Sequence, residues 1–393
     1  MNSTTQDSTE GAVEHPLDES HPSRPRGRRR RTAAPDLPPQ PSLTLAPPAP
    51  PGRRDLRALP KAHLHLHFTG AMRPQTLVDL AHEQGVRLPP HLLDLDPLTV
   101  PADARGWFRF QRSYDSARTL VRSEQVMRRI VREAAEDDAA EGSVHLEMQV
   151  DPTSYAPWVG GITPALEIVM DEAASASTDT GVHIGIVVAA SRTRHPLDAR
   201  TLARLAAQYA GDGPGQVVGF GLSNDERVGT TSAFSTAFHI ARDAGLAALP
   251  HGGELLGPES VREVVAALGP RRLGHGVRAT EDPALLDMLV AEGIAFEVCP
   301  TSNVHLGVYP DLAHVPLRVL MAHGATVALG ADDPLLFHSR LLAQYAGARD
   351  VLGLSDGELA GLAHQSVDAS LVGDALRRGW HERIDAWLAA EPA

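Results

Sequence analysis

The stretch KAHLHLHFTG at residues 61–70 carries three histidines at alternate positions. Side chains alternate between the two faces of a β-strand, so His63, His65 and His67 share one face and the intervening leucines share the other. His65 and His67 would lie about 6.6 Å apart along an ideal strand, which lets both imidazoles reach one ion at about 2.0–2.1 Å. His63 lies further back along the strand and is predicted to be structural. The stretch therefore predicts part of a metal site.

Other side chains able to bind a cation or move a proton lie at the carboxyl ends of later apolar runs. They are His251, Glu254, His275, Asp332 and Asp333. Imidazole nitrogens and carboxylate oxygens together suit zinc, with iron or manganese also open. A bound divalent ion lowers the pKa of its water to about 7 and so supplies hydroxide at neutral pH. The single cysteine, Cys299, precedes a proline and is predicted to be a buried structural thiol.

Eight apolar runs that alternate with helical candidates must position these side chains. The runs lie at 62–68, 144–150, 183–189, 216–222, 246–252, 271–277, 294–300 and 326–332. Helix candidates such as 123–142 open on a capping residue and close on glycine, and the chain after residue 339 is predicted to be helical. The alternation indicates parallel βαβ units, which predicts an α/β fold: a (β/α)8 TIM-type barrel with extra helices. A doubly wound open sheet is the alternative, although no G-x-G-x-x-G loop follows the first run. In a barrel the strand ends converge on one mouth, where the histidines and carboxylates would meet.

Composition excludes several other classes of protein. The chain has 393 residues, of which 42% are hydrophobic, and a net charge of −13 at pH 7. The acidic balance argues against nucleic-acid binding by the chain as a whole. One cysteine leaves no intramolecular disulfide, which favours a reducing, cytoplasmic location. No apolar run approaches the roughly 20 residues that span a bilayer, so no membrane partner is predicted.

Residues 1–55 differ in composition from the rest of the chain. They are rich in proline, serine and arginine, with RPRGRRRR at 24–31. Such a segment buries too little apolar surface to offset the entropy of ordering, so it is predicted to be a disordered, solvated tail. No apolar h-region follows the arginines, so no secretory signal is predicted. Residues 56–393 are predicted to form one catalytic barrel domain.

Five ordered motifs resemble the adenosine deaminase family of the amidohydrolase superfamily. They are PKAHLHLHFTGAMRP (60–74), GFGLSNDE (219–226), PHGGE (250–254), LGHGVR (273–278) and GADDP (330–334). The resemblance implies an enzyme that uses metal-bound hydroxide to convert a 6-aminopurine nucleoside into the 6-oxopurine product and ammonia. It implies one Zn²⁺ per chain and a small-molecule purine nucleoside as the binding partner. Whether the chain is a monomer or a homo-oligomer stays open.

The resemblance also implies roles for individual residues. The implied metal ligands are His65, His67, His251 and Asp332. The implied catalytic residues are Glu254, which protonates purine N1, and His275, which orients the hydroxide. The implied substrate-binding residues are His67, Thr69, Asn224 and Asp333. Asp333 matches the carboxylate that bonds purine N7, and Asn224 replaces a family glycine whose backbone N–H meets N3.

Two departures from the family pattern concern the substrate. FTG replaces the usual LDG or LEG, so the neutral Thr69 stands where an acid grips the ribose 5′-hydroxyl, and Gly221 replaces another acid. Both changes resemble a branch that acts on 5′-modified adenosines such as aminodeoxyfutalosine of menaquinone biosynthesis. Adenosine itself stays open, because a threonine hydroxyl can still bond the 5′-hydroxyl.

Two readings outside nucleoside deamination also stay open. One is another single-metal amidohydrolase; a two-metal enzyme is disfavoured, because the fourth run ends without the bridging lysine that many amidohydrolases carry. The other is a non-enzymatic regulator that uses the basic tail.

Overall fold

A computed structural model describes residues 53–94 and 96–391 of the chain. Its strands are β1 (Lys61–His67), β2 (Ser143–Val150), β3 (His183–Ser191), β4 (Val217–Ser223), β5 (Ala247–Gly252), β6 (Arg272–His275), β7 (Ala295–Val298) and β8 (Val327–Leu329). Each strand pairs in parallel with the next in chain order. The turn after β8 closes the ring, because the amide of His67 donates to the carbonyl of Asp332 at 3.0 Å. The predicted (β/α)8 barrel is confirmed.

Helices surround the strands. They are α1 (Pro74–Glu83), α2 (Ala104–Arg118), α3 (Glu124–Ala140), α4 (Ala156–Val159), α5 (Ile162–Thr180), α6 (Pro196–Gln208), α7 (Ser235–Asp243), α8 (Pro258–Leu268), α9 (Pro283–Ala291), α10 (Pro300–His305), α11 (Leu317–Ala322), α12 (Pro334–Phe337), α13 (Leu341–Asp350), α14 (Asp356–Ala369) and α15 (Asp374–Ala389). Short 3₁₀ helices lie at Pro90–Leu92, Pro152–Ser154, Thr231–Phe234, Val277–Glu281 and Leu312–His314. The Ser123 hydroxyl caps α3 by accepting from the amide of Val126 at 3.3 Å. The chain after residue 339 is helical, as predicted.

The two faces of β1 divide as the alternation predicts. Leu64 and Leu66 are buried in the main apolar core, and α14 packs against β1 and β8. His63 is buried and bonds both carboxylate oxygens of Asp138 at 3.0 Å, and its other ring nitrogen accepts from the amide of Ala331. The structural role predicted for His63 is therefore confirmed.

A chain of paired charges crosses the barrel interior below the mouth; we refer to Glu147, Arg272 and Glu297 as the lumen array. The Arg272 guanidinium donates to Glu297 at 2.6 Å and also bonds Glu147 on the far side of the barrel. A third donor of Arg272 reaches the carbonyl of Ala369 at 2.7 Å. Burying unpaired ions costs several kcal/mol each, and this mutual pairing is what makes the interior charges tolerable.

The predicted tail falls almost entirely outside the described residues, so its disorder and the boundary at 55/56 stay predictions. The described chain begins with contacts to the C-terminal helices: Arg54 lies 3.2 Å from Asp356, and the Trp387 indole donates to the carbonyl of Asp55 at 2.9 Å. Within the described part of the chain, no helix is long and apolar enough to cross a membrane.

Candidate active site

The mouth of the barrel gathers the predicted metal ligands, which come from strands β1 and β5 and from the turn after β8. The ring centroids of His65 and His67 lie 5.2 Å apart, and that of His251 lies 4.8 Å from His65 and 5.2 Å from His67. A carboxylate oxygen of Asp332 lies 3.1 Å from Nε2 of His67 and 3.5 Å from Nε2 of His65. Side chains that are far apart in the sequence thus share one small volume.

The donor set fits a divalent metal ion. The His65 ring is fully buried, yet its Nε2 has no hydrogen-bond partner among the described residues. A buried polar atom without a partner is costly, and a cation would satisfy this one. The ligand atoms of His65, His67 and Asp332 lie within 4.8 Å of one another, as do those of His65, His251 and His275. Three imidazole nitrogens and a carboxylate oxygen are a zinc-type donor set.

Glu297 fixes the orientation of the most buried imidazole. Its carboxylate accepts from Nδ1 of His65 at 2.7 Å, which leaves Nε2 with a lone pair that faces the mouth. Burial lowers the pKa of His65, but the nearby carboxylates of Asp332 and Glu297 outweigh it and raise the pKa to about 10. The field of these carboxylates draws positive charge to this position, whether a proton or a metal ion supplies it.

The opposite effect keeps two other imidazoles neutral. Burial, together with the charge of His65, holds the pKa of His251 well below its usual range. Burial lowers the pKa of His275 to about 3. These shifts favour the neutral form of both rings, in which one nitrogen of each ring carries a lone pair.

Backbone geometry at the mouth is unusual at the residues that carry chemistry. His275 has φ +64°, Asp332 has φ +62° and Asn224 has φ +80°. Left-handed conformations cost a non-glycine residue about 1–3 kcal/mol, and Asn, Asp and His tolerate them best. The left-handed backbone of Asn224 is a conformation that glycine would adopt readily.

Glu254 lies beside His275, with a carboxylate oxygen 3.7 Å from Nε2. Burial raises the pKa of Glu254 well above its usual range, and the negative charges of Asp332 and Glu226 raise it further. Burial therefore favours the protonated, neutral form of the Glu254 carboxyl.

Glu226 holds the segment that carries this acid. Its carboxylate accepts from the backbone amides of Glu254, Leu255 and Leu256 at 3.1, 3.0 and 2.9 Å. Three amide donors on one buried carboxylate form a rigid support, because each bond restrains the same turn.

Asp333 is the second carboxyl at the mouth whose pKa is raised: burial and the charge of Asp332 hold it well above the usual range. Its Oδ1 is buried and has no hydrogen-bond partner within the described part of the chain. A Cβ atom at Gly70 would lie 1.8 Å from this oxygen, so only glycine leaves room for it. Asp333 is also one of the residues that line the cavity at the mouth.

A cavity of about 320 Å³ extends from the metal ligands towards α2. The part away from the ligands is lined by Trp107, Phe110, Arg118, Tyr155 and Arg194. Thr69 is fully buried and is not among the described residues that line the cavity. Its hydroxyl bonds the Tyr155 hydroxyl at 2.6 Å. The role predicted for Thr69 stays a prediction, and Tyr155 is the residue of this pair that lines the cavity.

The sequence analysis missed Glu226, Glu297 and Tyr155. Glu226 ends the quoted motif GFGLSNDE, and Glu297 is a lone charge within the apolar run IAFEVCP. A charged residue inside a buried strand is itself a signal, because it must be paired there. The site residues that were predicted from the sequence all line the cavity or contact residues that line it.

The chain is similar to known proteins over most of its length. A model of the family described as adenosine deaminase matches residues 60–387. A Streptomyces virginiae protein, named provisionally as an adenosine/adenine deaminase, is 57% identical over 336 residues, which cover 85% of this chain and 98% of that one.

Two solved structures share the fold. The crystal structure of adenine deaminase from Arthrobacter aurescens has a TM-score of 0.76 at 28% identity and covers 84% of this chain and 100% of its own. Arabidopsis ADAL complexed with IMP has a TM-score of 0.75 at 25% identity and covers 84% of this chain and 97% of its own.

Proposed function

The chain belongs to the adenosine deaminase family of the amidohydrolase superfamily, and on that premise we propose that it deaminates a 6-aminopurine nucleoside to the 6-oxopurine nucleoside and ammonia. The observation that carries the proposal is the buried carboxyl of Glu254, whose pKa burial raises, beside a cluster of metal-type ligands. Hydrolysis at C6 of a purine needs both a nucleophilic water and a proton for N1, and this arrangement supplies groups suited to each.

We assign the metal ligands as predicted from the sequence: His65, His67, His251 and Asp332. A divalent ion held there, Zn²⁺ by its donor set, would supply a water acidic enough to react at neutral pH. Glu297 orients His65 for this task from below.

Glu254 and His275 divide the proton transfers between them. Glu254 donates its proton to N1 as the ring loses aromaticity at C6, which requires the raised pKa that burial gives it. His275, whose pKa burial lowers, is free to accept the proton of the attacking water. Their separation of 3.7 Å allows the acid to act at N1 while the base acts on the water that attacks the adjacent C6.

Asp333 and Asn224 orient the purine. A protonated Asp333 can donate a hydrogen bond to N7, which carries only a lone pair, and its unsatisfied Oδ1 is consistent with this role. We assign the bond to N3 to the backbone N–H of Asn224, as the family resemblance implies; the side-chain oxygen accepts from the amide of Asp225 at 2.8 Å, and the side-chain NH₂ group is a second possible donor.

The size and lining of the cavity limit which purines can bind. It continues from the metal ligands to Tyr155, Trp107 and Arg194, which leaves space for a sugar and a 5′ substituent beyond the purine. The aromatic and cationic lining of that region supports the 5′-modified adenosines, including aminodeoxyfutalosine, as the alternative to adenosine. Free adenine is the second candidate, because the similar Arthrobacter protein is an adenine deaminase.

Ammonia release tests these assignments. The metal-replete enzyme should be compared on adenine, adenosine, a 5′-deoxy-5′-thioadenosine and aminodeoxyfutalosine by kcat/KM. We expect at least one nucleoside to exceed adenine. Turnover of adenine alone would overturn the nucleoside assignment, and no ammonia from any 6-aminopurine would overturn the proposed reaction.

A further inference from the structure

A second group of histidines and carboxylates lies outside the active site, between α14 and α15. We call it the His–Asp cluster: His364 and Asp368 on α14, and His381 and Asp385 on α15. On each helix the aspartate follows the histidine by four positions, so both side chains lie on one face of their helix.

The pairing runs across the two helices. Nε2 of His364 bonds Asp385 at 3.0 Å, and Nε2 of His381 bonds Asp368 at 2.8 Å. The two remaining ring nitrogens, both Nδ1, lie 2.5 Å apart. The ring centroids are 4.8 Å apart and the planes differ by 19°, so the rings meet edge to edge rather than face to face.

The two Nδ1 atoms need a positive charge between them. An ionised carboxylate only accepts hydrogen bonds, so each Nε2 carries the hydrogen of its ring. A neutral imidazole has one N–H, and each Nδ1 therefore carries a lone pair directed at the other. Two lone pairs at 2.5 Å repel unless a proton or a metal ion lies between them.

We propose that the His–Asp cluster binds a divalent transition-metal ion, of the Zn²⁺ or Cu²⁺ type, through Nδ1 of His364 and Nδ1 of His381. A metal-bound histidine typically donates its other N–H to a carboxylate, and both histidines already do so. The two carboxylates contribute two negative charges, which a divalent ion balances and one shared proton does not. Water completes the coordination, since the His side chains are 28% and 27% exposed.

The required adjustment is small. Two nitrogens on one ion at about 2.0–2.1 Å lie roughly 2.9–3.4 Å apart for bond angles of about 90–110°. The rings therefore need to separate by less than about an ångström, which rotation of partly exposed side chains provides.

The position of the cluster indicates a structural role. Next to His364, Gln365 accepts from the amide of Val327 at 2.9 Å, and Ser366 accepts from the amide of Ala62 at 3.0 Å. Val327 and Ala62 lie at the amino ends of β8 and β1, away from the mouth. An ion here would tie α15, through α14, to the closed end of the barrel and stabilise the fold without touching the reaction.

Zinc binding by the purified holoenzyme tests the proposal. After equilibrium dialysis against buffered micromolar free Zn²⁺, the wild type should hold about one zinc per chain more than the His364→Gln/His381→Gln variant. Added zinc should raise the Tm of the wild type but not of the variant. His239→Gln is the matched control and should leave the zinc content unchanged. His239 also precedes an aspartate by four positions and lies 3.5 Å from Asp243. Its side chain is 70% exposed, and no histidine among the described residues faces it.

The outcomes separate a metal site from a shared proton. Equal zinc content in the wild type and the double variant, or no additional zinc in either, would assign the space between the rings to a proton and overturn the proposal. If the double variant does not fold, the electron paramagnetic resonance spectrum of one added Cu²⁺ equivalent decides on the wild type alone. Coupling to two imidazole nitrogens supports the site, and a spectrum without it overturns the proposal.

Discussion

Replacement of Glu226 by glutamine should impair catalysis although Glu226 lies outside the reacting groups. The carboxylate bonds the amide of Glu254 through one oxygen and the amides of Leu255 and Leu256 through the other. Glutamine has only one oxygen. If it faces the latter two amides, its NH₂ group meets the N–H of Glu254, so one bond is replaced by a contact between two donors.

The expected magnitude follows from that lost bond. Hydrogen bonds to a charged group contribute about 1.5–3 kcal/mol. If the loss moves Glu254 out of line only in the transition state, kcat/KM falls about 10- to 150-fold, at about 1.36 kcal/mol per tenfold. The fall should appear in kcat with little change in KM, because the acid acts on N1 during attack and not in initial binding.

Steady-state kinetics on the preferred nucleoside, with zinc content and Tm recorded in parallel, measure the effect. Glu259→Gln is the matched control, since Glu259 lies in the first turn of α8 and makes no contact with the reacting groups, so kcat/KM should be unchanged. A folded, zinc-replete Glu226→Gln enzyme with kcat/KM within twofold of the wild type would refute the reasoning.

Four further outcomes follow from the same geometry. Glu254→Gln should lower kcat by about 10²–10⁴-fold. Because the protonated acid is the active form, the kcat/KM of the wild type should fall as the pH rises through the raised pKa of Glu254. The variant should lack that fall at alkaline pH. Gly70→Ala should abolish most activity and lower Tm, since its Cβ would overlap Asp333 at 1.8 Å; unchanged kinetics would contradict the close contact between Gly70 and Asp333. Thr69→Val breaks the 2.6 Å bond to Tyr155 and should change the kcat/KM ratio of 5′-modified adenosine to adenosine in a competition assay, while an unaltered ratio would separate this pair from 5′ recognition. Chelation should remove activity and lower Tm, and added Zn²⁺ should restore both; full activity in metal-free enzyme would exclude the metal assignment.

The barrel and the meeting of the candidate metal ligands at its mouth could be predicted from the sequence because both follow from local patterns. Alternation in KAHLHLH determines which side chains lie on each face of β1. The convergence of strand ends in a barrel then brings these histidines close to side chains from later strands. His65 and Asp332 could be paired in advance because each follows the same rule about strand ends.

The supporting contacts were not accessible in this way. Glu297 bonds a histidine 232 positions away, and Tyr155 bonds a threonine 86 positions away. No local periodicity encodes which side chain across the barrel will meet a given residue. The role predicted for Thr69 depended on such a contact, because its hydroxyl bonds Tyr155 and Tyr155 is the residue that lines the cavity.

The lumen array restricts how this enzyme can change through evolution. Removing Arg272 alone would leave Glu147 and Glu297 buried without the guanidinium that bonds both, a loss of about 3–5 kcal/mol, which is a large share of the stability of a typical domain. A viable lineage would have to replace these residues together, so mutational steps in the barrel floor are strongly coupled. The wall formed by α2 and the 3₁₀ helix Pro152–Ser154 has no fully buried ion pair among its described residues, and new substrate preferences should arise there first.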